Sequence, residues 1–357
     1  MPQIDHRLAA FAASAAIAVM AFTAIQLFGD PEAAGPRSVL SLGPGTADAA
    51  APHLSFSEAV DETGGTYGAR ERAGMPEAAH TLAQRTVAPL ARAPLAGLSE
   101  RGPDGVLPIV AANGRTPAQA YARPFTPAQG RPMIAVVIGG LGLSAGATAQ
   151  AIEELPPEVT LSFVPYARNL QSWIDRARAH GHEVMLELPM EPFDPDTDDT
   201  GPQTLLAAAP AQQNVSRLEH LLSRGAGYFG VTNDQGSRFA SSAEASAPVA
   251  QALRRRGLAF VSSGIGEHNA LSVEARRAGL PNTAADGIID ARREASAIGD
   301  QLLNLEALAL QNRSAIGAAF AYPVTMEQVG RWARDIGTRG YQLAPASAVL
   351  NARAARR

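Results

Sequence analysis

The sequence predicts an α/β fold built around a parallel sheet that closes, fully or in part, into a β/α barrel. From Pro132 onward, short apolar β-rich runs alternate with amphipathic helical stretches, which is typical of consecutive βα units. Seven or eight such units fit into about 225 residues, a number that matches a barrel better than a small open sheet. The functional face of such a fold lies at the carboxyl ends of the strands.

The individual elements follow from the period of the apolar residues. Strands are predicted where four to eight apolar or β-branched residues run together, and helices where apolar residues recur every three or four positions. The predicted strands are MIAVVI (133–138), EVTLSFV (158–164), EVMLEL (183–188), GYFGVT (227–232), LAFVSS (258–263), ADGIID (285–290), SAIGAAF (314–320) and an eighth, YQLAP (341–345). The predicted helices between them are 144–154, 168–180, 213–224, 245–256, 269–278, 292–312 and 325–338.

A membrane segment is predicted at the start of the chain. Residues 8–28 carry no charge, and as a helix rising about 1.5 Å per residue they would span roughly 30 Å, the thickness of the hydrocarbon core. The run is longer than a secretory h-region of about 7 to 15 residues and has no clear cleavage site after it, which favours an uncleaved anchor over residues 1–29. A cleaved signal peptide remains the alternative.

The charges around this segment predict its orientation. Arg7 precedes the span, while Asp30 and Glu32 follow it, and positive charge stays on the cytoplasmic side. We therefore expect a single-pass protein of a bacterial inner membrane with its C-terminal domain in the periplasm, or a periplasmic protein if the segment is cleaved.

Residues 30–131 are rich in Ala, Pro, Gly, Ser and Thr and contain few aromatic residues. Such a composition buries too little apolar surface to offset the entropy of ordering, so a disordered linker is predicted there. The folded domain is then 132–350, and 351–357 form a tail.

Composition excludes several classes of function. The formal charge is −4 and 18% of residues are charged, without the basic surface that nucleic-acid binding requires, so no nucleic-acid partner is expected. Every basic residue apart from histidine is arginine, which excludes Schiff-base chemistry and a P-loop lysine. There is no cysteine, so no disulfide framework exists.

The predicted strand ends carry a set of motifs. They are VVIGGLG (136–142), GHEVMLELPMEP (181–192), GVTNDQGSRF (230–239), FVSSG (260–264) and AFAYP (319–323). In order and spacing these resemble the divergent polysaccharide deacetylases, a branch of the NodB-type carbohydrate deacetylases. The resemblance covers about residues 132–350 and implies a deformed, seven-stranded (β/α)7-type barrel, a periplasmic location and a role in carbohydrate metabolism.

The resemblance also implies a metal-dependent site that is mostly replaced in this chain. Deacetylation of this kind uses a metal-activated water together with an aspartate base and a histidine acid. Gly139 and Gly140 stand where the family carries two aspartates. Histidine positions of the family are occupied by Glu187, Asp234 and Tyr322, and an aspartate position by Ser262. No catalytic residue is therefore assigned, and no cofactor is expected.

Two functional hypotheses follow for the barrel mouth. The first is a pseudoenzyme that binds an envelope glycan or an envelope protein, with candidate binding residues Glu187, Glu191, Asn233, Asp234 and Arg238. The second is a working hydrolase whose divalent metal site has moved to Glu187, Glu191 and Asp234. Glu191 and Arg238 also have structural interpretations, as anchors of loop backbone.

A dinucleotide site is a third interpretation of the first motif. Gly140, Gly142 and Gly146 follow a strand and open a helix, as the glycines of a phosphate-binding turn do. Residues 162–167, at the end of the second strand, supply no acidic residue for a ribose.

His182, in a helix-to-strand turn, is predicted to have a structural role.

Overall fold

A curled parallel sheet organises the part of the chain that the computed structural model describes, residues 88–194, 200–264 and 269–356. The sheet strands are β3 (Met133–Leu141), β4 (Thr160–Phe163), β5 (Val184–Met190), β6 (Gly230–Gln235), β7 (Ala259–Ser262), β8 (Asn282–Ala284), β9 (Gly287–Ile288), β10 (Ser314–Phe320) and β11 (Gln342–Leu343). A separate antiparallel pair, β1 (Ser99–Arg101) and β2 (Val106–Pro108), precedes them. The predicted α/β class is confirmed.

The curl of the sheet follows from its strand order, which is β8, β7, β6, β5, β4, β3, β10, β9, with β11 also paired to β3. β8 pairs with β7 at one end of this order and β9 with β10 at the other. These two edge strands are consecutive in the chain and only Ala285 and Asp286 separate them. The Ala285 amide donates to Ser262 and the Asp286 amide to Ile316, so this short segment bonds to both ends of the sheet.

Alternating side chains of the strands supply two separate cores. Along β3, Ile134, Val136 and Ile138 belong to the larger apolar cluster, which the flanking helices share. Met133, Ala135 and Val137 belong to a second cluster. Burial on both faces explains why β3 reads as a continuous apolar run rather than as an alternating one.

The helices alternate with the strands. After α1 (Pro117–Ala120) they are α2 (Ala145–Glu154), α3 (Leu170–Ala179), α4 (Ala211–Leu222), α5 (Ala243–Arg255), α6 (Ala270–Arg277), α7 (Ala295–Asn312), α8 (Pro323–Asp335) and α9 (Ala346–Ala354). Seven of them, α2 to α8, overlap the seven predicted helices. α9 begins before and continues beyond the predicted boundary at residue 350, so residues 351–354 are helical rather than a tail.

The turn between β3 and α2 explains two of the glycines in the first motif. Gly140 and Gly142 have φ of 72° and 96°, a region that favours glycine. A Cβ on Gly142 would lie 2.3 Å from that of Ala167, so the neighbouring loop also requires a glycine there. The Gly142 amide donates to Thr148, and the Ser144 side chain caps α2. Turn geometry and close packing thus account for these glycines without a bound dinucleotide.

The predicted linker is wrong for residues 88–131. This segment contains β1, β2 and α1. Its Leu98 and Tyr121 are each only 2% exposed and belong to the same apolar cluster as Met133 and Ile316 of the sheet. A composition rich in Ala and Pro was insufficient evidence of disorder, because a few apolar side chains and buried polar contacts order the segment.

Two buried charged residues hold this segment to the sheet. Arg178 of α3 is 2% exposed and donates to the carbonyl oxygens of Ala91, Tyr121 and Gly227. Glu183, fully buried, accepts from the backbone N–H of Arg123, from Thr160 and from the amide and hydroxyl of Ser347. Burial raises the pKa of Glu183, and these donors act against that rise.

The predicted anchor over residues 8–28 and the first part of the predicted linker lie outside the described residues. Within residues 88–194, 200–264 and 269–356, no helix is both long and apolar enough to cross a membrane.

His182 has the structural role predicted for it, because its ring nitrogens lie 2.8 and 3.1 Å from the carbonyl oxygens of Val159 and Ile152.

Candidate functional site

A cavity of about 280 Å³ lies where the carboxyl ends of the parallel strands meet. This is the edge at which α/β folds usually place their sites. Its lining combines two acidic side chains with hydroxyl, amide and apolar groups: Val137, Gly139, Ser162, Glu187, Thr232, Asn233, Asp234, Gln235, Ser237, Ser263, Gly264, Ile288, Ala318, Ala319 and Phe320. Glu187, Asn233 and Asp234 among the predicted binding residues are therefore brought together.

Glu187 occupies the place of the side chain that Gly139 lacks. A Cβ built on Gly139 would lie 2.8 Å from Glu187 Oε1. The same carboxylate oxygen accepts a hydrogen bond of 2.7 Å from the backbone N–H of Gly140. An acidic group is thus present beside β3, but it comes from β5, two strands away in the sheet.

The surroundings of Glu187 favour its protonated form. The side chain is buried, and burial together with the negative charge of Asp234 raises its pKa to about 8. The Gly140 amide opposes this shift. The Ser162 hydroxyl also opposes it, although it lies outside regular hydrogen-bond geometry. Glu187 therefore carries a proton at neutral pH for most of the time.

Asn233, beside the two acids, has a structural role. Its side-chain oxygen accepts from the Ser263 amide at 2.9 Å, and its amide donates to the Gln235 carbonyl at 2.8 Å. The Ser263 hydroxyl returns a bond to the Asn233 carbonyl. Asn233 thus ties the end of β6 to the end of β7 and holds this wall of the cavity in place.

Glu191 and Arg238 do not line the cavity. The Glu191 carboxylate accepts from the Ala207 amide at 2.6 Å and pairs with Arg238 at 3.2 Å. Its carbonyl oxygen accepts from the amides of Arg238 and Phe239. Both residues anchor loop backbone, as their structural interpretation predicted, and neither belongs to the acidic pair.

Two further positions that the sequence resemblance predicted as replaced ligands contribute no acid or imidazole to the cavity. Ser262 is fully buried and its hydroxyl has no hydrogen-bond partner. Tyr322 lies at the N-terminus of α8, where its hydroxyl bonds to Arg293 at 2.7 Å and its ring lies 4.0 Å beneath that guanidinium. Neither side chain is among the lining residues.

These residues do not fit the divalent metal that the deacetylase resemblance implies. Glu187 and Asp234 are the two acids in the described lining of the cavity, and Glu187 favours its neutral form. No group of three or more His, Asp or Glu side chains in residues 88–194, 200–264 and 269–356 is arranged to hold a metal ion. A catalytic metal site usually has three protein ligands.

Sequence reasoning missed two features of the site and one buried acid next to it. Thr232 is a lining residue that is 4% exposed, and its buried hydroxyl has no hydrogen-bond partner. Phe320 and Ile288 supply exposed apolar surface to the lining. Asp290, close in sequence to Ile288, is buried with a raised pKa and accepts from Phe320 and Thr325. The β-run 285–290 gave no signal of these roles.

Comparison with known proteins identifies the family. A model of the divergent polysaccharide deacetylases matches residues 136–350. This chain belongs to the divergent polysaccharide deacetylase family. It is similar to a crystal structure of an uncharacterized protein from Agrobacterium tumefaciens C58, with 38% sequence identity and a TM-score of 0.67. The similarity covers 69% of this chain and 99% of that one. No curated protein gave a significant match.

The contact between Gly139 and Glu187 is open to a direct test in this family member. We expect Gly139→Ala to lower the free energy of unfolding by about 1–3 kcal/mol, because the added methyl overlaps a buried carboxylate. Gly146→Ala is the matched control. Gly146 has open space around it and lies in α2, so alanine should stabilise by about 0.5–1 kcal/mol.

Urea denaturation of both single variants, and of Gly139→Ala combined with Glu187→Ala, measures the effect. The double variant should tolerate the methyl, since Glu187→Ala removes the overlapping atoms. Equal costs of Gly139→Ala in the two backgrounds would show that Glu187 does not occupy this space.

Proposed function

We propose that this protein is an envelope glycan-binding member of its family that has lost metal-dependent deacetylation. Membership supports a carbohydrate-related, deacetylase-like protein. The observation that carries the proposal is the intact cavity in which the Glu187 carboxylate fills the place of the missing Gly139 side chain. The cavity offers space for a ligand, and the resemblance predicts that the metal-binding residues of the family are replaced in this chain.

The lining chemistry supports a hydroxylated ligand. Ser162 and Thr232 are lining residues whose hydroxyl groups have no regular hydrogen-bond partner, and Phe320, which is 42% exposed, supplies an aromatic ring. Sugars combine hydroxyl groups with an apolar ring face, so such a lining can meet both. The volume is close to the lower end of small-molecule sites, about 300–1,000 Å³.

The proposed location is the periplasm, with residues 8–28 as an inner-membrane anchor or, if cleaved, as a signal peptide. The uncharged composition of that run supports this location. A deformed (β/α)7-type barrel at the end of a tether would carry its cavity towards envelope glycans. An envelope protein is the other partner class that such a tethered domain suits.

The second candidate function is hydrolysis with a relocated acidic site. It is favoured by the proximity of Glu187 and Asp234, since a carboxyl group whose pKa is raised by burial and by a second carboxyl group is an arrangement that acid-base catalysis uses. Glu191 is bound elsewhere and does not complete the predicted three-acid metal site. The hydrolase hypothesis therefore rests on Glu187 and Asp234 alone.

Acetate release and glycan binding, measured on the full chain, test these functions. We expect no acetate from N-acetylated chito-oligosaccharides or peptidoglycan fragments, with or without added zinc, manganese or cobalt, and saturable binding of at least one glycan. Metal-dependent acetate release that Asp234→Ala abolishes would overturn the proposal in favour of the second candidate. Absence of binding to every glycan would overturn the glycan assignment.

A further inference from the structure

An arginine with a fixed side chain lies next to the cavity. The Arg293 guanidinium carbon is 4.0 Å from the centroid of the Tyr322 ring, and its Nη2 donates to the Tyr322 hydroxyl at 2.7 Å. Arg293 itself is exposed to solvent. A cation–π contact and a hydrogen bond to one side chain limit the orientations of the guanidinium. A ligand that binds it therefore has less side-chain freedom to remove.

Tyr322 is held beside the lining of the cavity. Its ring centroid is 6.0 Å from that of Phe320, a lining residue that is 42% exposed. Buried Asp290 accepts from the Phe320 amide at 2.8 Å and from the Thr325 hydroxyl at 2.9 Å. These two bonds hold the chain on either side of Tyr322, at the end of β10 and in the first turn of α8. Arg293 therefore lies one aromatic ring beyond the cavity wall.

The remaining N–H groups of Arg293 are available to a ligand. In the part of the chain that the structure describes, Tyr322 is the hydrogen-bond partner of this guanidinium, and no carboxylate forms an ion pair with it. The charge of Arg293 lowers the pKa of Asp290, but burial has the larger effect and raises it. Asp290 is thus a weak counter-charge. A guanidinium without an ion-pair partner presents a planar set of donors that matches a carboxylate.

Phe320 and Arg293 together offer two kinds of contact. The exposed ring of Phe320 can meet the apolar face of a sugar, since aromatic side chains commonly line small-molecule sites. The guanidinium can pair with an acidic group on the same molecule. A neutral sugar would use the first contact alone, so the pair of contacts favours a sugar that carries a negative charge.

We propose that the site binds an acidic glycan, with a sugar ring against Phe320 and a ligand carboxylate at Arg293. This inference rests on the proposed glycan-binding function and specifies its ligand class. Tyr322 acts as a positioning residue, because it holds the guanidinium and does not itself line the cavity.

Calorimetric titration of the full chain with matched probes at low ionic strength tests the proposal. One pair is the disaccharide of N-acetylglucosamine and N-acetylmuramic acid and its methyl ester, which lacks the charge of the lactyl carboxylate. The second pair, digalacturonate and its dimethyl ester, makes the result independent of one sugar backbone. In at least one pair the acid should bind about tenfold tighter than the ester, a ratio equivalent to about 1.4 kcal/mol. Added salt should reduce this preference.

Variants connect the preference to one guanidinium. Arg293→Gln should abolish the preference for the acid over its ester. Tyr322→Phe, which removes the hydroxyl and keeps the ring, should reduce the preference about threefold. Arg292→Gln is the matched control, because Arg292 is the adjacent exposed arginine, whereas Tyr322 contacts Arg293. It removes the same charge and should preserve the preference.

The outcomes separate this inference from the proposed function. Equal binding of acid and ester in both pairs would overturn the acidic-glycan assignment and leave glycan binding intact. An equal loss of preference in Arg292→Gln and Arg293→Gln would show a general effect of charge, which also overturns it. Lactate, an acid without a sugar, should bind more weakly than the acidic disaccharides, and equal binding would count against a glycan ligand. If no glycan binds, the proposed function fails as well.

Discussion

Glu187→Gln is expected to make the protein more stable than the wild type at pH 9 and to leave its stability almost unchanged at pH 4. The folded protein holds the pKa of Glu187 at about 8, against an ordinary value of 4.5. Between these values the folded state retains a proton that the unfolded state has released. Stability of the wild type therefore falls as pH rises, by about 1.4 kcal/mol per pH unit for this group.

The size of the effect follows from the interval between the two pKa values of Glu187, 4.5 in the unfolded chain and about 8 in the folded protein. Below about pH 4.5 both states are protonated and Glu187 costs nothing, whereas above about pH 8 its penalty is complete. Glutamine resembles the protonated acid and keeps an acceptor for the Gly140 amide. It should gain about 3–5 kcal/mol over the wild type at pH 9.

Urea midpoints at several pH values between 4 and 9 measure this gain. Glu154→Gln, at an exposed position on α2, is the matched control and should follow the wild-type profile throughout. Parallel profiles of Glu187→Gln and the wild type would contradict the assignment of a buried, protonated Glu187.

Arg178→Ala should be among the most destabilising single substitutions, at about 3–5 kcal/mol. The guanidinium is buried and donates to three carbonyl oxygens, which would all lose a charged donor. Two of those oxygens, on Ala91 and Tyr121, belong to the segment before β3. The variant should therefore also loosen residues 88–121.

Urea denaturation and limited trypsin digestion together test this expectation. Cleavage at Arg101 and Arg115, between Ala91 and Tyr121, should become faster in Arg178→Ala. Arg176→Ala, on the same helix, is the control: its side chain is 41% exposed and pairs with Glu153, a contact worth at most about 1 kcal/mol. Similar losses in the free energy of unfolding for the two variants would refute the role of Arg178 in holding residues 88–121 to the sheet.

Local pattern was sufficient for most of the secondary structure. The predicted strand 314–320 matches β10, and the helix predicted over 144–154 differs from α2 by one residue. Short-range signals also predicted the structural role of His182 and offered one for Glu191 as an alternative to ligand binding. In each case apolar periodicity or a neighbouring turn carries the information within a few residues.

Local pattern failed where long-range contacts decide. Residues 88–131 were predicted as linker because their composition lacks a sustained apolar stripe. Their order depends on Arg178 and Glu183, which lie about fifty or more residues later. Burial of a charged group with several partners cannot be detected from composition.

The sequence by itself determined the α/β class and the family frame, and it predicted that Gly139 and Gly140 replace a pair of acids. Only the tertiary structure decided that Glu187 lies in the space beside Gly139, where the charge of Asp234 raises its pKa. It also decided that the Glu191 carboxylate binds a loop amide instead of joining them. The physical reason is strand register: β3, β5 and β6 are distant in the chain, and their pairing through the sheet selects which side chains meet.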